Sequence, residues 1–471
     1  MVWKEMIEDF RIAAHKAVDL LADYLEMLPD GPAYRHVPVD HRDHIVHMPL
    51  PIEGISALLL VEEIARDILP YPMGSNHPSF FGWVNSPALP SSVLGALMAA
   101  GFNASVAGGD QAGVYVEHAV LRWLKEMLGL DDTCGGVLTS GGSSANLIGL
   151  AVGRNELLRR AGWDVRADGL HAAPSVPVYA TVEAHSSLIK AVELLGIGHG
   201  SIRYVPLDSA LRLNARELRA MVEHDRPRGA IVCASIGTVN SGAVDPIDAV
   251  ADIAAEHGLW LHVDGAYGAV GRIIPGFEHL YNGLERADSL SVDPHKWLYV
   301  AVECGCALVR DADAMRRAFS RVPPYLRDAS DAWPWFSEYT FEQTRPLRAL
   351  KLWAALRERG LAWYRDLLAR DCALARRLGE LVAGAEDFEL AAPVELGIVA
   401  FRCIPRSIAA DTDAVDRLND TLPASIQRDG RIFMTGSRIG GRPILRACFV
   451  NFRTPDSEPE RILEVIRDLL P

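Results

Sequence analysis

From about residue 90 to 310 the chain alternates short apolar runs with segments of helical periodicity, and no other feature limits its fold as strongly. The apolar runs fall at 137–140, 178–183, 202–206, 230–235, 259–263, 289–292 and 306–310. Between them lie amphipathic stretches such as "NARELRAMVEHD" and "PIDAVADIAAEHG". Strands that are apolar without strict alternation, and that are separated by helices, predict a mostly parallel sheet covered on both faces. In such α/β sheets ligands collect at the C-terminal ends of the strands, so those ends are where chemistry is expected.

The flanks read differently. The first 70 residues predict a helix, a Pro-rich connection and a second helix, "GISALLLVEEIARDIL", that stops at Pro70. "YPMGSNHPSFFGWVNSPALP" is a loop by composition. A Trp- and Pro-rich segment at 321–346 precedes a long helix around "LRALKLWAALRERG". The last 100 or so residues predict a small α+β unit, with strands near "LGIVAFRCI", "GRIFMTG" and "PILRACFVNF".

Composition narrows the function. A length of 471 residues supports a large core and more than one folded unit, and 49% hydrophobic with 23% charged residues is ordinary for a globular protein. The net charge of −14, with no basic stripe to offset it, argues against nucleic acid as a partner. No apolar run reaches the ~18 to 20 residues of a membrane span. The amphipathic N-terminus carries acids throughout, unlike a targeting peptide, so a cytoplasmic location is expected. Seven cysteines at irregular spacing suggest reduced thiols. Cys304 and Cys306 read as core residues or, less simply, as a metal pair, and His36, His41, His44 and His47 as a solvated irregular connection or a metal site. No metal is expected.

Four strand ends carry unusual residues. "GGVLTSGGSSANL" puts Gly141-Gly142-Ser143-Ser144 between a strand and a helix. That is either an anion cradle at a helix N-terminus or a plain Ser-capped start. "ATVEAHSS" ends at His185, a structural residue or a ring available for stacking. "LWLHVDGAYGA" leaves Asp264 at the end of a wholly apolar strand, where it caps a turn or needs a cationic partner. "SLSVDPHKW" sets Asp293, His295 and Lys296 at the next strand end. A phosphate anchor, an aromatic ring, a buried carboxylate and a lysine on one sheet edge together suit pyridoxal 5′-phosphate.

The stretches "SVDPHKW", "HVDGAYGA", "EAHSS", "GGVLTSGGSSANL" and "HPSFFGW" resemble the group II pyridoxal-phosphate decarboxylases, and within them the aromatic-L-amino-acid decarboxylases. The resemblance runs from about residue 10 to the C-terminus. It implies a fold-type I (aspartate aminotransferase-like) α/β enzyme with a small C-terminal α+β domain. The expected parts are an N-terminal helical segment (1–86) packing on a partner subunit, a large cofactor-binding domain (87–360) with a mobile loop near 321–340, and a small domain (361–471). An obligate homodimer is implied.

The resemblance also assigns roles. Lys296 would hold the cofactor aldehyde as a Schiff base, Asp264 would pair with the pyridine nitrogen, and His185 would stack on the ring. Gly142, Ser143 and His295 would hold the phosphate, with Thr238 near the cofactor oxygens and Ala266 beside it. Asp293 joins the cofactor-binding set where relatives often carry Asn, its carboxylate expected to face a backbone donor or an arginine. Tyr325, in "PPYL", would be the proton donor. Tyr there and His185 match the decarboxylases, whereas related aldehyde synthases carry Phe at the Tyr325 position. Phe80 and Trp83 would line the substrate pocket, Ser86 would contact its carboxylate, and Thr344 would trim the space. The implied reaction is decarboxylation of an L-amino acid to its amine and CO₂, with an aromatic side chain favoured by the aromatic wall. An aldehyde synthase, or a decarboxylase of an aliphatic or acidic amino acid, is the alternative, and a catalytically silent binding protein a third.

Overall fold

A computed structural model of the chain describes residues 2–321 and 333–470. Two compact units emerge. One gathers Met1–Pro87, Glu380–Glu389 and Phe401–Pro471; the other is Ala88–Gly379 with Leu390–Ala400. The expected boundary at 361 adjoins Gly360 (φ 73°), where the helix Ala349–Ala383 breaks, but packing groups residues as far as Gly379 with the larger unit.

The larger unit is built on seven strands: β1 (Gly135–Thr139), β2 (Val178–Ala180), β3 (Ile202–Tyr204), β4 (Ile231–Ser235), β5 (Trp260–Asp264), β6 (Ser289–Val292) and β7 (Gly305–Val309). Their order across the sheet is β1-β7-β6-β5-β4-β2-β3. β7 runs antiparallel to both neighbours, while the pairs β6–β5, β5–β4, β4–β2 and β2–β3 are parallel. The α/β class and the mostly parallel sheet are therefore as expected. β1, β4 and β7 are buried along their whole length, which explains why their sequences do not alternate; β6, Ser-Leu-Ser-Val, is equally buried but does alternate.

Helices form where the sequence supplies caps as well as period. Asn214 accepts from the amides of Arg216 and Glu217 to start Ala215–Asp225, and Gly258 (φ 66°) closes Ile247–His257. The helix Gly142–Arg160 is buried along most of its length, and in the middle of it Gly149 trades helix propensity for closeness. A Cβ on Gly149 would stand 2.8 Å from the His262 ring and 3.1 Å from Ser289 Oγ. A fully buried ion pair anchors β1: Glu117 accepts from the Leu138 amide and from Arg345, and Arg345 also donates to the Leu138 carbonyl.

The smaller unit contains the N-terminal helices Val2–Met27 and Ala57–Asp67, the second capped by Ser56. A four-stranded sheet runs in the order β10-β11-β9-β8, made of β8 (Phe388–Leu390), β9 (Ile398–Cys403), β10 (Thr435–Ile439) and β11 (Arg442–Cys448). Two local expectations change. The His-rich stretch holds an eight-residue helix, Val39–Val46, rather than an irregular connection. "GRIFMTG" enters the sheet only at its end, because Phe433 instead exchanges backbone hydrogen bonds with Ser79 and Phe81. All seven cysteines are buried free thiols, and among the described residues no helix is long and apolar enough to cross a membrane.

Candidate active site

β5 and β6 are parallel neighbours, so their C-terminal ends bring Asp264 and the segment Asp293–Lys296 to one edge of the sheet. Asp264 is largely buried and held by three donors. Its Oδ1 accepts from the Ala266 amide (3.1 Å) and Ser291 Oγ (3.0 Å), and its Oδ2 from Asn146 Nδ2 (2.9 Å). Burial alone would raise its pKa, but the Lys296 ammonium and the Asn146 hydrogen bond outweigh that and hold the carboxyl below its ordinary value. Asp264 is thus a buried, ionised carboxylate.

After β6 the chain turns tightly, with the Lys296 amide donating to the Asp293 carbonyl (2.9 Å). The turn returns the lysine toward Asp293, and Nζ lies 3.2 Å from Asp293 Oδ2. Asp293 is 3% exposed, and its Oδ1 has no hydrogen-bond partner among the described residues. Its carboxylate therefore faces Lys296, not the arginine or backbone donor expected, because a tight turn sets residues i and i+3 side by side. His295 Nδ1 lies 2.7 Å from the Cys304 carbonyl. The Cys304 amide also points at that nitrogen (3.3 Å), and Nε2 is turned toward Asp293 Oδ2, 3.8 Å away. Beyond the lysine, Trp297 Nε1 (2.8 Å) and the Tyr299 hydroxyl both donate to Asp371 Oδ2. Burial pushes the Asp371 carboxyl up to about 7 in spite of those two bonds.

The glycine turn after β1 closes the same site. A Cβ on Gly142 would stand 2.8 Å from Asp293 Oδ2 and 3.0 Å from the Ala266 Cβ, so this position has room only for glycine. A Cβ on Gly141 would lie 3.3 Å from His295 Cε1. Gly142 and exposed Ser143 open the helix Gly142–Arg160, whose first amides have no intrahelical acceptor. Such an end favours an anion.

His185 caps the helix Ser186–Leu194. Its Nδ1 accepts from the Ser187 amide (3.2 Å) and lies 2.7 Å from Ser187 Oγ. Part of the ring is open to solvent, yet loss of surrounding water lowers its pKa, with Lys296 and Lys190 adding to the effect and Asp264 and Asp293 opposing it. Thr238 is 2% exposed, and its hydroxyl is engaged within its own turn by Ser241 Oγ (2.8 Å) and the Ala243 amide (3.1 Å). Thr344 is exposed in the larger unit. Phe80, Trp83 and Ser86 belong to the smaller unit, where Phe80 is a core residue stacked on Phe433 (4.6 Å between ring centres) and Trp83 is exposed. Tyr325 lies outside the described residues.

Sequence reasoning missed Asn146, Ser187 and Ser291, the side chains that orient Asp264 and His185. One signal was available for Asn146: a polar residue in the apolar stretch "ANLIGLAV" needs a partner once buried, and it is 2% exposed.

The donor set fits a group with a phosphate, an aldehyde and a ring cation. The helix start suits the first, the Lys296 amine the second and the ionised Asp264 the third. Asp293 adds a further negative charge beside the glycine turn.

Comparison with known proteins points the same way. Residues 40–404 match the model of the pyridoxal-dependent decarboxylase conserved domain. An aromatic-L-amino-acid decarboxylase from Bacillus atrophaeus is 31% identical, with 98% of this chain and 95% of the relative covered. A phenylacetaldehyde synthase from Petunia hybrida is 30% identical over 93% of this chain and 90% of its own. A crystal structure of Oryza sativa TDC with PLP and tryptamine superposes with a TM-score of 0.91 at 30% identity, covering 98% of this chain and 97% of that one.

Proposed function

Because the chain belongs to the pyridoxal-dependent decarboxylase family, we propose that it removes the α-carboxylate of an aromatic L-amino acid to give the amine and CO₂. Membership carries PLP-dependent carboxy-lyase chemistry; the aromatic substrate and the amine product are our inference. The observation that carries it is the buried, three-donor seat of Asp264 beside Lys296. When bound, the cofactor supplies an electrophilic aldehyde and a cationic ring that draws electrons from the bond to the departing carboxylate.

The chain's own residues do the rest. Lys296 would offer the amine that holds the aldehyde. Asp264 would balance positive charge on the ring nitrogen. The Gly142 and Ser143 amides, with His295, would hold the phosphate. His185 would stack on the ring, and Tyr325 would be the proton donor. Thr344 would limit the space for the substrate side chain, and an aromatic substrate is favoured by the likeness to aromatic-L-amino-acid decarboxylases. A homodimer is supported by exposed apolar side chains on two helices, among them Trp3, Met6 and Phe10 on Val2–Met27, and Leu94, Leu97 and Phe102 on Pro90–Phe102. The acidic balance and buried free thiols accord with a cytoplasmic enzyme.

The test is to purify the protein, record its visible absorbance, and supply a panel of amino acids while following CO₂, amine, aldehyde and peroxide. Amine and CO₂ in equal amounts from an aromatic substrate are expected. A colourless protein that does not take up pyridoxal phosphate would sink this reading. Aldehyde with peroxide would favour the synthase chemistry named for the Petunia relative. Tyr325→Phe is expected to keep the cofactor colour and lose amine formation; an undiminished amine yield would remove Tyr325 from the reaction.

A further inference from the structure

Asp264 and His185 sit on different elements, yet one side chain governs the hydrogen bonding of both. Asn146, on the helix Gly142–Arg160, spends one amide hydrogen on Asp264 Oδ2 (2.9 Å) and the other on Ser187 Oγ (3.0 Å). Its Oδ1 lies 3.0 Å from His262 Nε2. Shape does not distinguish an amide nitrogen from its oxygen, but charge does here. Turned over, Asn146 would press its oxygen against a carboxylate oxygen, so the nitrogen faces Asp264.

The remaining hydrogens follow. Oδ1 of Asn146 only accepts, so His262 Nε2 carries a hydrogen. Full burial pushes the His262 imidazole down to about 4, with Asp264 opposing, which leaves the ring neutral and its Nδ1 bare. Ser289 Oγ, at 2.8 Å, therefore donates to Nδ1 and itself accepts from Trp260 Nε1 (2.9 Å). On the other arm, Ser187 Oγ accepts from Asn146 and directs its own hydrogen at His185 Nδ1 (2.7 Å). The Ser187 amide donates to the same nitrogen (3.2 Å). With two donors on Nδ1, the ring hydrogen of neutral His185 is confined to Nε2.

We propose that Asn146 is a positioning residue at the branch of this one-way chain, and that it uses the charge of Asp264 to hold His185 as the neutral Nε2–H tautomer. His185 then meets substrate or cofactor as a hydrogen-bond donor through Nε2. Only that use of the donor rests on the proposed reaction; the tautomer belongs to the folded chain. The charged groups acting on the ring are Asp264, Asp293, Lys296 and Lys190.

The experiment is ¹⁵N NMR of histidine-labelled holoenzyme, with His185→Gln to assign the signals and visible absorbance to report the cofactor. The wild type is expected to show a protonated Nε2 and a bare Nδ1 on His185. Ser187→Ala, which removes the hydroxyl donor to Nδ1 together with the acceptor of one Asn146 hydrogen, is expected to raise the His185 titration midpoint by about one pH unit, a tenfold change in its protonation equilibrium. Asn146→Leu, close in size but without amide hydrogens, is expected to move the His185 signals and also to weaken cofactor retention by roughly tenfold, since Asp264 loses a donor. A wild-type His185 protonated on Nδ1, or His185 signals unmoved in Ser187→Ala, would overturn the assignment. Should Asn146→Leu fail to fold, the wild-type and Ser187→Ala spectra still decide. An enzyme with the Nε2–H tautomer that decarboxylates nothing would support this assignment while defeating the proposed reaction.

Discussion

Asp264 and Asp293 end neighbouring strands and lie near the same lysine, but their surroundings are built for different ends. Both oxygens of Asp264 are satisfied, by Asn146 on one and by Ala266 and Ser291 on the other. Asp293 has Lys296 against Oδ2 and no hydrogen-bond partner on Oδ1 among the described residues. Burying a carboxylate without donors is costly, and at Asp264 the Lys296 ammonium and the Asn146 hydrogen bond together outweigh that cost. Asp264 has donors on both oxygens as well as the Lys296 ammonium nearby. Asp293 pairs with Lys296 directly and holds the lysine beside the glycine turn. Asp371 is a third solution, a fully buried carboxyl with two donors on one oxygen whose pKa is pushed up to about 7.

Substitutions ordered by expected effect would break or sharpen this contrast. Asp264→Asn removes the charge from a seat made for it. Loss of a buried charged partner is worth about 3–5 kcal/mol, so turnover is expected to fall by roughly 10²- to 10⁴-fold, measured as CO₂ release. Activity within tenfold of wild type would mean that Asp264 is a structural cap. Gly142→Ala is next: its methyl group would strike Asp293 Oδ2 and Ala266. Overpacking of this kind costs about 1–3 kcal/mol, and cofactor titration is expected to show weaker binding by about one order of magnitude or more.

Asp371 tests the third case through pH. Its folded pKa is raised above the unfolded one, so its stabilising contribution is fully present below about pH 4 and is lost as pH climbs toward 7. Wild type should therefore lose stability relative to Asp371→Asn over that range, by about 1.4 kcal/mol per pH unit at the steepest, in urea unfolding. Parallel curves for the two proteins would show that Asp371 is ionised when folded. The smallest effect is expected for Asp293→Asn, which removes negative charge beside the phosphate seat. Cofactor binding should tighten by several-fold, under about 1.4 kcal/mol. Weaker binding would show that the contact with Lys296 matters more than the repulsion.

Much of this was legible before any coordinates, for identifiable reasons. Each of the seven runs corresponds to a strand within a few residues, because strands covered on both faces are mostly apolar; 289–292 coincides with β6, whose two buried serines are hydrogen-bonded to His262 and Asp264. Lys296, Asp264 and Gly142 stood out as residues that a strand end does not otherwise need. β8 went unnoticed because three residues, Phe388–Leu390, carry no period. The helix Val39–Val46 was obscured by its flanking prolines and lacks an apolar face. The environment of Asp293 was misjudged since a turn, not a long-range contact, supplies its partner.

By itself the sequence determined the sheet, the strand ends at which chemistry gathers, and the residue types placed there, because periodicity and local turn chemistry are written within a few neighbouring positions. Only the tertiary structure decided which hydrogen goes to which oxygen. Asn146 and Asp264 are 118 residues apart in the chain, as are His262 and Asn146 by 116. No local pattern encodes such a pairing. It exists because a buried polar atom must find its partner on whichever element the packing brings within about 3 Å.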